Sequence, residues 1–173
     1  LLVKLNFLEP RKFLGLGLTI QIIFTILFWT RTMHDYRLIY PMFAMVLLTF
    51  IVLILMFRTR TQSVASGAVK ASYYKTYQGD TEPDAAQKLT RHFSNLFEAP
   101  TLYYAACLGG LTMQVNDLAF LILAWIYVLA RLVHAYIHLG KNKIYPRIYA
   151  YFSSWLVLLA MWAYLALRAA ALV

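Results

Sequence analysis

Residues 118–139 read LAFLILAWIYVLARLVHAYIHL, an apolar stretch that still contains Arg131, His134 and His138. At about 100° of rotation per residue, these three side chains share one face of a helix. An ionisable group at membrane depth costs a few kcal/mol, so a helix retains it only where it faces a partner, a ligand or water. The stretch therefore predicts a membrane helix with one polar, inward-facing side.

The composition of the whole chain also indicates a membrane protein. Hydrophobic residues make up 62% of the 173 residues and charged residues 13%, about half the roughly 25% that is typical of soluble proteins. The formal net charge of +9 would suit a nucleic-acid-binding protein. However, the basic residues lie between apolar stretches, where they set membrane topology. We predict an integral, multi-pass protein that contacts membrane lipids and binds no nucleic acid.

Four further apolar stretches are long enough to cross a bilayer, which takes about 20 residues. They are residues 13–31, 39–57, 93–113 and 148–172. The stretch 93–113 begins with polar residues, so its helix is expected to start at them or before them. The stretch 13–31 is longer than the apolar part of a signal peptide and is predicted to be retained. We predict an additional membrane helix in residues 1–33, followed by a membrane domain in residues 34–173.

The distribution of lysine and arginine predicts the orientation of the chain. One side of the membrane collects the basic residues at positions 4, 11 and 12, in 58–91 and in 141–147, whereas the other side receives three arginines. The positive-inside rule places the first set in the cytoplasm. The N-terminus is then cytoplasmic and the C-terminus lies on the opposite side.

A second polar helix face occurs near the start of the third predicted span. Arg91, Asn95 and Glu98 fall within a narrow sector of a helix, at the same end of the protein as the polar face of 118–139. Glu98 could pair with Arg131 or with Arg147. Two interpretations stay open here: a polar clamp between helices that only fixes packing, and a ligand site.

The two histidines raise the question of a metal site. His134 and His138 are four residues apart, a spacing that can chelate a metal, with Glu98 as a conceivable third ligand. The signal is weak, because there is no second His/Cys pair and because Arg131 and Arg147 would repel a cation. We therefore predict no metal site.

Basic residues near the same end suit an anionic ligand. Guanidinium groups match carboxylates and thiolates in charge and geometry. The competing interpretation is attraction to anionic lipid, worth about 1 kcal/mol per basic residue, and we favour it for Lys70, Lys75 and Lys88. The residues considered for an anionic ligand are Arg58, Arg60, Arg91, Lys141, Lys143 and Arg147.

Two blocks of sequence resemble the membrane-associated proteins in eicosanoid and glutathione metabolism, the MAPEG family. Residues 91–100, RHFSNLFEAP, are similar to its Arg-x-x-x-Asn-x-x-Glu signature. Residues 131–151 resemble its third helix and the loop that follows, and residues 58–60 resemble the basic end of its first helix. The likeness covers roughly residue 39 to the C-terminus, about three-quarters of the chain.

The resemblance implies an all-α, four-helix membrane bundle per subunit and a homotrimer with active sites between subunits. It also implies that glutathione, as co-substrate, attacks a lipophilic small molecule that enters from the bilayer. Arg147 would be the catalytic, thiolate-stabilising residue, and Arg58 would reach in from a neighbouring subunit. Asn95, Glu98, His134 and Tyr151 would line the glutathione site, and the polar faces add Arg91, Arg131 and His138 as candidate binding residues.

Some positions depart from the family pattern. Ser94 stands where several catalytic members have a second arginine, and His138 stands where eicosanoid-forming members have a tyrosine. The span 13–31 is additional, and the pattern in 137–142 looks more like bacterial members. Two functions follow: a membrane-bound transferase or peroxidase that uses glutathione or another thiol, and a non-enzymatic lipid-binding or scaffolding protein, such as a subunit of a larger complex.

Overall fold

The computed structural model describes residues 36–79 and 81–171, and this part of the chain is helical with no strand. Its helices, in chain order, are α1 (Ile39–Ala65), α2 (Tyr73–Thr76), α3 (Asp84–Asn95), α4 (Ala99–Thr112), α5 (Leu118–Leu139) and α6 (Ile144–Ala170). The predicted all-α class is confirmed. The predicted span 13–31 lies outside the described residues, and the division after residue 33 stays a prediction.

Three of the described helices, α1, α5 and α6, are long and apolar enough to cross a membrane. They have 27, 22 and 27 residues, which at about 1.5 Å per residue matches or exceeds a hydrocarbon core of about 30 Å. Large apolar side chains such as Phe50, Phe57 and Leu156 are exposed on their outer faces, as contact with lipid tails requires. The protein is therefore an integral membrane protein.

The predicted span 93–113 is not a single helix. Helix α3 ends before α4 begins, and Glu98 lies between them with φ −90° and ψ −97°. Pro100 explains the break, because it has no N–H group and its ring would clash with the carbonyl of Leu96 in a continuous helix. A tight hydrogen bond from the Leu96 N–H to the Phe93 carbonyl, 3.0 Å long, closes α3 instead.

Helix α5 is central to the bundle. It packs most extensively against α6 and also against α1 and α3, while α4 packs against α6. Tyr103 of α4 stacks on Tyr127 of α5, with ring centroids 4.3 Å apart and planes 7° apart. Met45, Val52 and Met161 join these rings in the buried core. Because helices surround α5, its polar face lies inside the bundle, as predicted for a membrane helix that keeps ionisable groups.

Arg60, near the end of α1, contacts side chains of the long connection to α3 and of α3 itself. Its Nε donates to Glu82 Oε1 at 3.2 Å, and its Nη2 donates to Thr90 Oγ1 at 3.0 Å. Its guanidinium carbon also lies 5.1 Å and 5.7 Å from the ring centroids of Tyr74 and Tyr77. Arg60 was considered for an anionic ligand. It is instead held by the protein's own buried carboxylate, which indicates a structural role.

Candidate functional site

A pocket of about 670 Å³ opens at one end of the bundle. The pocket is lined by α3, by Glu98 just before α4, by the last turns of α5 and by the first turns of α6. We call this region the open end. Three cations, Lys88, Arg91 and Arg147, and two carboxylates, Asp84 and Glu98, line it. The open end therefore presents charges of both signs, from segments that are distant in the sequence.

Seven of the nine predicted site residues line this pocket. They are Arg91, Asn95, Glu98, His134, His138, Arg147 and Tyr151. Arg131 is fully buried and lies behind the pocket wall. Arg58 is an exposed residue of α1 and is not part of the pocket of its own chain. Lys88, which we had assigned to lipid attraction, does line the pocket.

Glu98 is paired differently from the prediction. Among the described residues it forms no ion pair with Arg131 or Arg147. Instead, Tyr151 Oη donates to Glu98 Oε2 at 3.4 Å, and the Glu98 side chain is exposed. The predicted ion pair was therefore wrong, and the prediction had treated Glu98 as part of a continuous helix, whereas Glu98 lies at the break between α3 and α4.

Arg131 connects α5 to the end of α3. Its Nη2 donates to the backbone carbonyl of Asn95 at 2.8 Å, and its guanidinium carbon lies 5.8 Å from the ring centroid of Tyr151. Its Nε and Nη1 are buried and have no hydrogen-bond partner among the described residues. Arg131 therefore acts as a clamp between helices, and two of its donors are left for another group.

Arg147 is held through both its side chain and its backbone. Its Nη1 donates to Asn142 Oδ1 at 2.7 Å. Asn142 has φ +48°, a left-handed conformation that asparagine tolerates better than most residues. The Arg147 carbonyl lies 3.3 Å from His134 Nδ1. A carbonyl only accepts, so Nδ1 of His134 carries the proton and Nε2 carries the lone pair.

His92 is a candidate site residue that the sequence reasoning missed. This α3 residue is fully buried, and its ring centroid lies 5.5 Å from that of His134 and 5.1 Å from that of His138. Burial, then the neighbouring His138 and His134, lower the pKa of His92 to about 3, so it is neutral at neutral pH. The available signal was its spacing, because His92 lies three residues before Asn95 and shares its helix face.

The fold and the site together define a class, the helical membrane bundles with a charged pocket at one end. The MAPEG family model matches residues 38–167, so the chain belongs to the MAPEG family. The resemblance noted in residues 91–100 and 131–151 is thereby confirmed. Membership is consistent with a membrane transferase that uses glutathione, or with a related function. Neither the curated proteins nor the solved structures gave a match.

Proposed function

We propose that this protein is a membrane-bound transferase or peroxidase that activates glutathione, or another low-molecular-weight thiol, towards lipophilic electrophiles. The pocket at the open end carries this proposal, because it brings Arg91, Glu98 and Arg147 together from separate segments of the chain. Its volume of about 670 Å³ lies within the range of roughly 300–1,000 Å³ that is usual for small-molecule sites.

The charges of the pocket suit the charges of glutathione, which has two carboxylates, one ammonium group and one thiol. We assign Lys88 and Arg91, two cations that line the pocket, to the carboxylates. Glu98 is the partner we assign to the ammonium group, because its side chain is exposed, lines the pocket and forms no ion pair among the described residues. Asn95 and Tyr151, which also line the pocket, add neutral hydrogen-bonding groups.

Arg147 is the catalytic residue of this proposal. A guanidinium group beside the sulfur stabilises the thiolate and so lowers the pKa of the bound thiol. The thiol proton passes to water, and the sulfur lone pair forms a bond to the electrophilic carbon while the leaving group departs with its bonding pair. Arg147 is half-buried, which strengthens its interaction with the sulfur relative to bulk water.

We further propose a homotrimer in which Arg58 of one subunit approaches Arg147 and Tyr151 of the next. Arg58 is exposed and lies outside the pocket of its own chain, as a role in a neighbouring site requires. Lipophilic substrates would enter from the bilayer, and the basic open end would face the cytoplasm. A monomeric mass for gently solubilised protein would contradict this assembly.

Calorimetric titration of the detergent-purified protein with glutathione tests the proposal, together with the ultraviolet absorbance of the thiolate. Arg147→Ala is expected to remove most of the thiolate signal while the Kd changes only a few-fold. Glu98→Gln is expected to weaken binding by about tenfold, because a charge-assisted hydrogen bond is worth about 1.5–3 kcal/mol.

Lys141→Ala is the matched control, since Lys141 is an exposed cation near the pocket that does not line it. A wild type with neither binding nor thiolate would overturn the transferase proposal.

A non-enzymatic lipid-binding or scaffolding role is the second candidate function. The contact between Arg131 and the Asn95 carbonyl favours it, because this clamp fixes the packing of α3 on α5 without any ligand. In that case the wild type would bind no thiol, and Arg147→Ala would behave like Lys141→Ala in every measurement.

A further inference from the structure

We propose that His92, His134 and His138 form a binding site for one zinc-class transition-metal ion at the inner end of the pocket, independently of the proposed thiol chemistry. One ring nitrogen from each residue lies within 4.8 Å of those from the other two. The three side chains are 0%, 2% and 4% exposed. Sequence analysis predicted no metal site because it found no second His/Cys pair beside His134 and His138 and expected Arg131 and Arg147 to repel a cation. It did not consider His92.

Four of the six ring nitrogens of this cluster lack a hydrogen-bond partner among the described residues. Both nitrogens of His92, Nε2 of His134 and Nδ1 of His138 are buried without a hydrogen-bond partner among the described residues. A buried polar atom without a partner has lost its hydrogen bonds to water, and native proteins leave few such atoms. A metal ion would accept one lone pair from each imidazole and so compensate for part of this loss.

His134 is already oriented as a metal ligand. Its Nδ1–H donates to the Arg147 carbonyl at 3.3 Å, and its Nε2 is the buried atom without a partner. Histidines that bind metals usually donate their other N–H to a carbonyl or carboxylate, which fixes the tautomer and the ring orientation. This pairing leaves the Nε2 lone pair of His134 directed away from the Arg147 backbone.

The ligand set selects the kind of ion. Magnesium and calcium require oxygen ligands, whereas imidazole suits zinc and its neighbours in the first transition row. Zn–N bonds of about 2.0–2.1 Å in tetrahedral geometry place ligand atoms about 3.4 Å apart, so small rotations of the imidazole rings would close the site. His134 and His138 line the pocket, so the fourth position of the ion would face it.

Positive charges around the cluster decide what the fourth ligand is. Arg131 lies near His134, and Arg91, Arg147 and Lys88 lie near His138. These cations oppose a bare divalent ion, but they attract an anionic fourth ligand that lowers the net charge of the complex. We therefore assign the open position to chloride, hydroxide or another small anion.

Zinc binding to chelator-stripped, tag-free protein, with no thiol present, tests this site. We expect calorimetry to give one Zn²⁺ per chain and cobalt substitution to give the visible absorption of a tetrahedral ion. Zn²⁺ should also raise the unfolding temperature progressively as its free concentration exceeds the Kd, whereas Mg²⁺ should not. These readouts on the wild type do not depend on whether any variant folds.

Variants then identify the ligands. His92→Phe and His134→Phe are each expected to weaken Zn²⁺ binding by at least about tenfold. Tyr136→Phe, which alters a residue on the exposed face of the same helix as His134, should leave it unchanged. Absence of Zn²⁺ binding by the wild type, or equal binding by all variants, would overturn the metal site. A glutathione titration in chelator is a separate measurement, so failure of the thiol proposal is distinguishable from failure of this one.

Discussion

The two ends of the α5–α6 pair differ in how their polar groups are satisfied. At the closed end, which we define by Asp117, Tyr164 and Arg168, Tyr164 Oη donates to Asp117 Oδ2 at 2.7 Å, and Arg168 Nη2 donates to the same oxygen. At the open end, nitrogens of His92 and Arg131 are buried without partners among the described residues. Paired groups at the closed end fix the fold, whereas unpaired groups at the open end are available to a ligand.

Packing separates the two ends in the same way. At the closed end the backbone of Gly110 lies so near Phe120 and Leu38 that no side chain fits between them. The closed end has a pocket of about 170 Å³ near Gln114, whereas the pocket at the open end has a volume of about 670 Å³. Space and unsatisfied polar atoms thus occur together at the open end, which is why we place the function there.

If paired polar groups fix the fold and unpaired ones are available to a ligand, then paired groups outside the pocket should stabilise the structure near the open end. Arg60→Ala removes the partner of Glu82, a carboxylate that is 5% exposed. It is expected to lower the free energy of unfolding by about 3 kcal/mol, because the change leaves a buried charge uncompensated. Thermal and denaturant unfolding in detergent measure this effect, the largest we expect.

Arg91→Ala is the matched control for this change. Arg91 is also a cation of this region, but it is exposed and lines the pocket. Its removal should change stability by no more than about 0.5 kcal/mol. Equal losses for Arg60→Ala and Arg91→Ala would mean that pocket residues hold the fold together as much as paired residues do.

Hydropathy predicted the membrane spans well, because a helix that contacts lipid must have a long apolar run. Helix α5 (Leu118–Leu139) has the predicted bounds, because an apolar run of that length has few alternatives. Helix α1 was predicted to end at residue 57 but continues to Ala65. Its last turns are polar and lie beyond the apolar run, so hydropathy measured the membrane span and missed the rest of the helix.

The candidate site was predicted less completely, because it depends on contacts between helices. The motif in 91–100 identified Asn95 and Glu98 but gave no sign that Glu98 would bond to Tyr151. The proximity of His92 to His134 depends on how α3 packs on α5, and no local pattern specifies that packing. The role of Arg58 in a neighbouring subunit stays a prediction.

The close packing at the closed end gives the next prediction. A Cβ added at Gly110 would lie 2.7 Å from Phe120 Cε1 and 3.2 Å from Leu38 Cδ1. Because the Phe120 ring is fully buried, Gly110→Ala is expected to destabilise the protein by about 1–3 kcal/mol. The loss should appear as a lower unfolding temperature, with little change in thiol or metal binding at the open end.

Gly109→Ala provides the control within the same helix. Its Cβ would meet Leu165 Cδ1 at 3.4 Å, an ordinary contact, and alanine is favoured over glycine in a helix interior by about 1 kcal/mol. The Gly109 variant should be as stable as the wild type or slightly more stable. If Gly110→Ala were equally well tolerated, the closed end would not be packed as tightly as we infer.

The smallest expected effect concerns the charge of Asp117. Hydrogen bonds from Tyr164, then from Arg168, lower the pKa of Asp117 below its ordinary value of 3.8. A carboxylate whose pKa is lower in the folded state stabilises the fold fully above its unfolded pKa, and loses that contribution as the pH falls through the folded value. Asp117→Asn should therefore lower the unfolding temperature slightly at neutral pH, since asparagine can still accept from Tyr164 but brings no charge to Arg168. The difference between wild type and variant should stay constant down to about pH 4 and disappear in stronger acid, because both side chains are then uncharged. Unfolding temperatures of the wild type and the variant, measured from neutral pH into strong acid, test this prediction. A difference that persists unchanged in strong acid would show that the Asp117 charge does not stabilise the closed end.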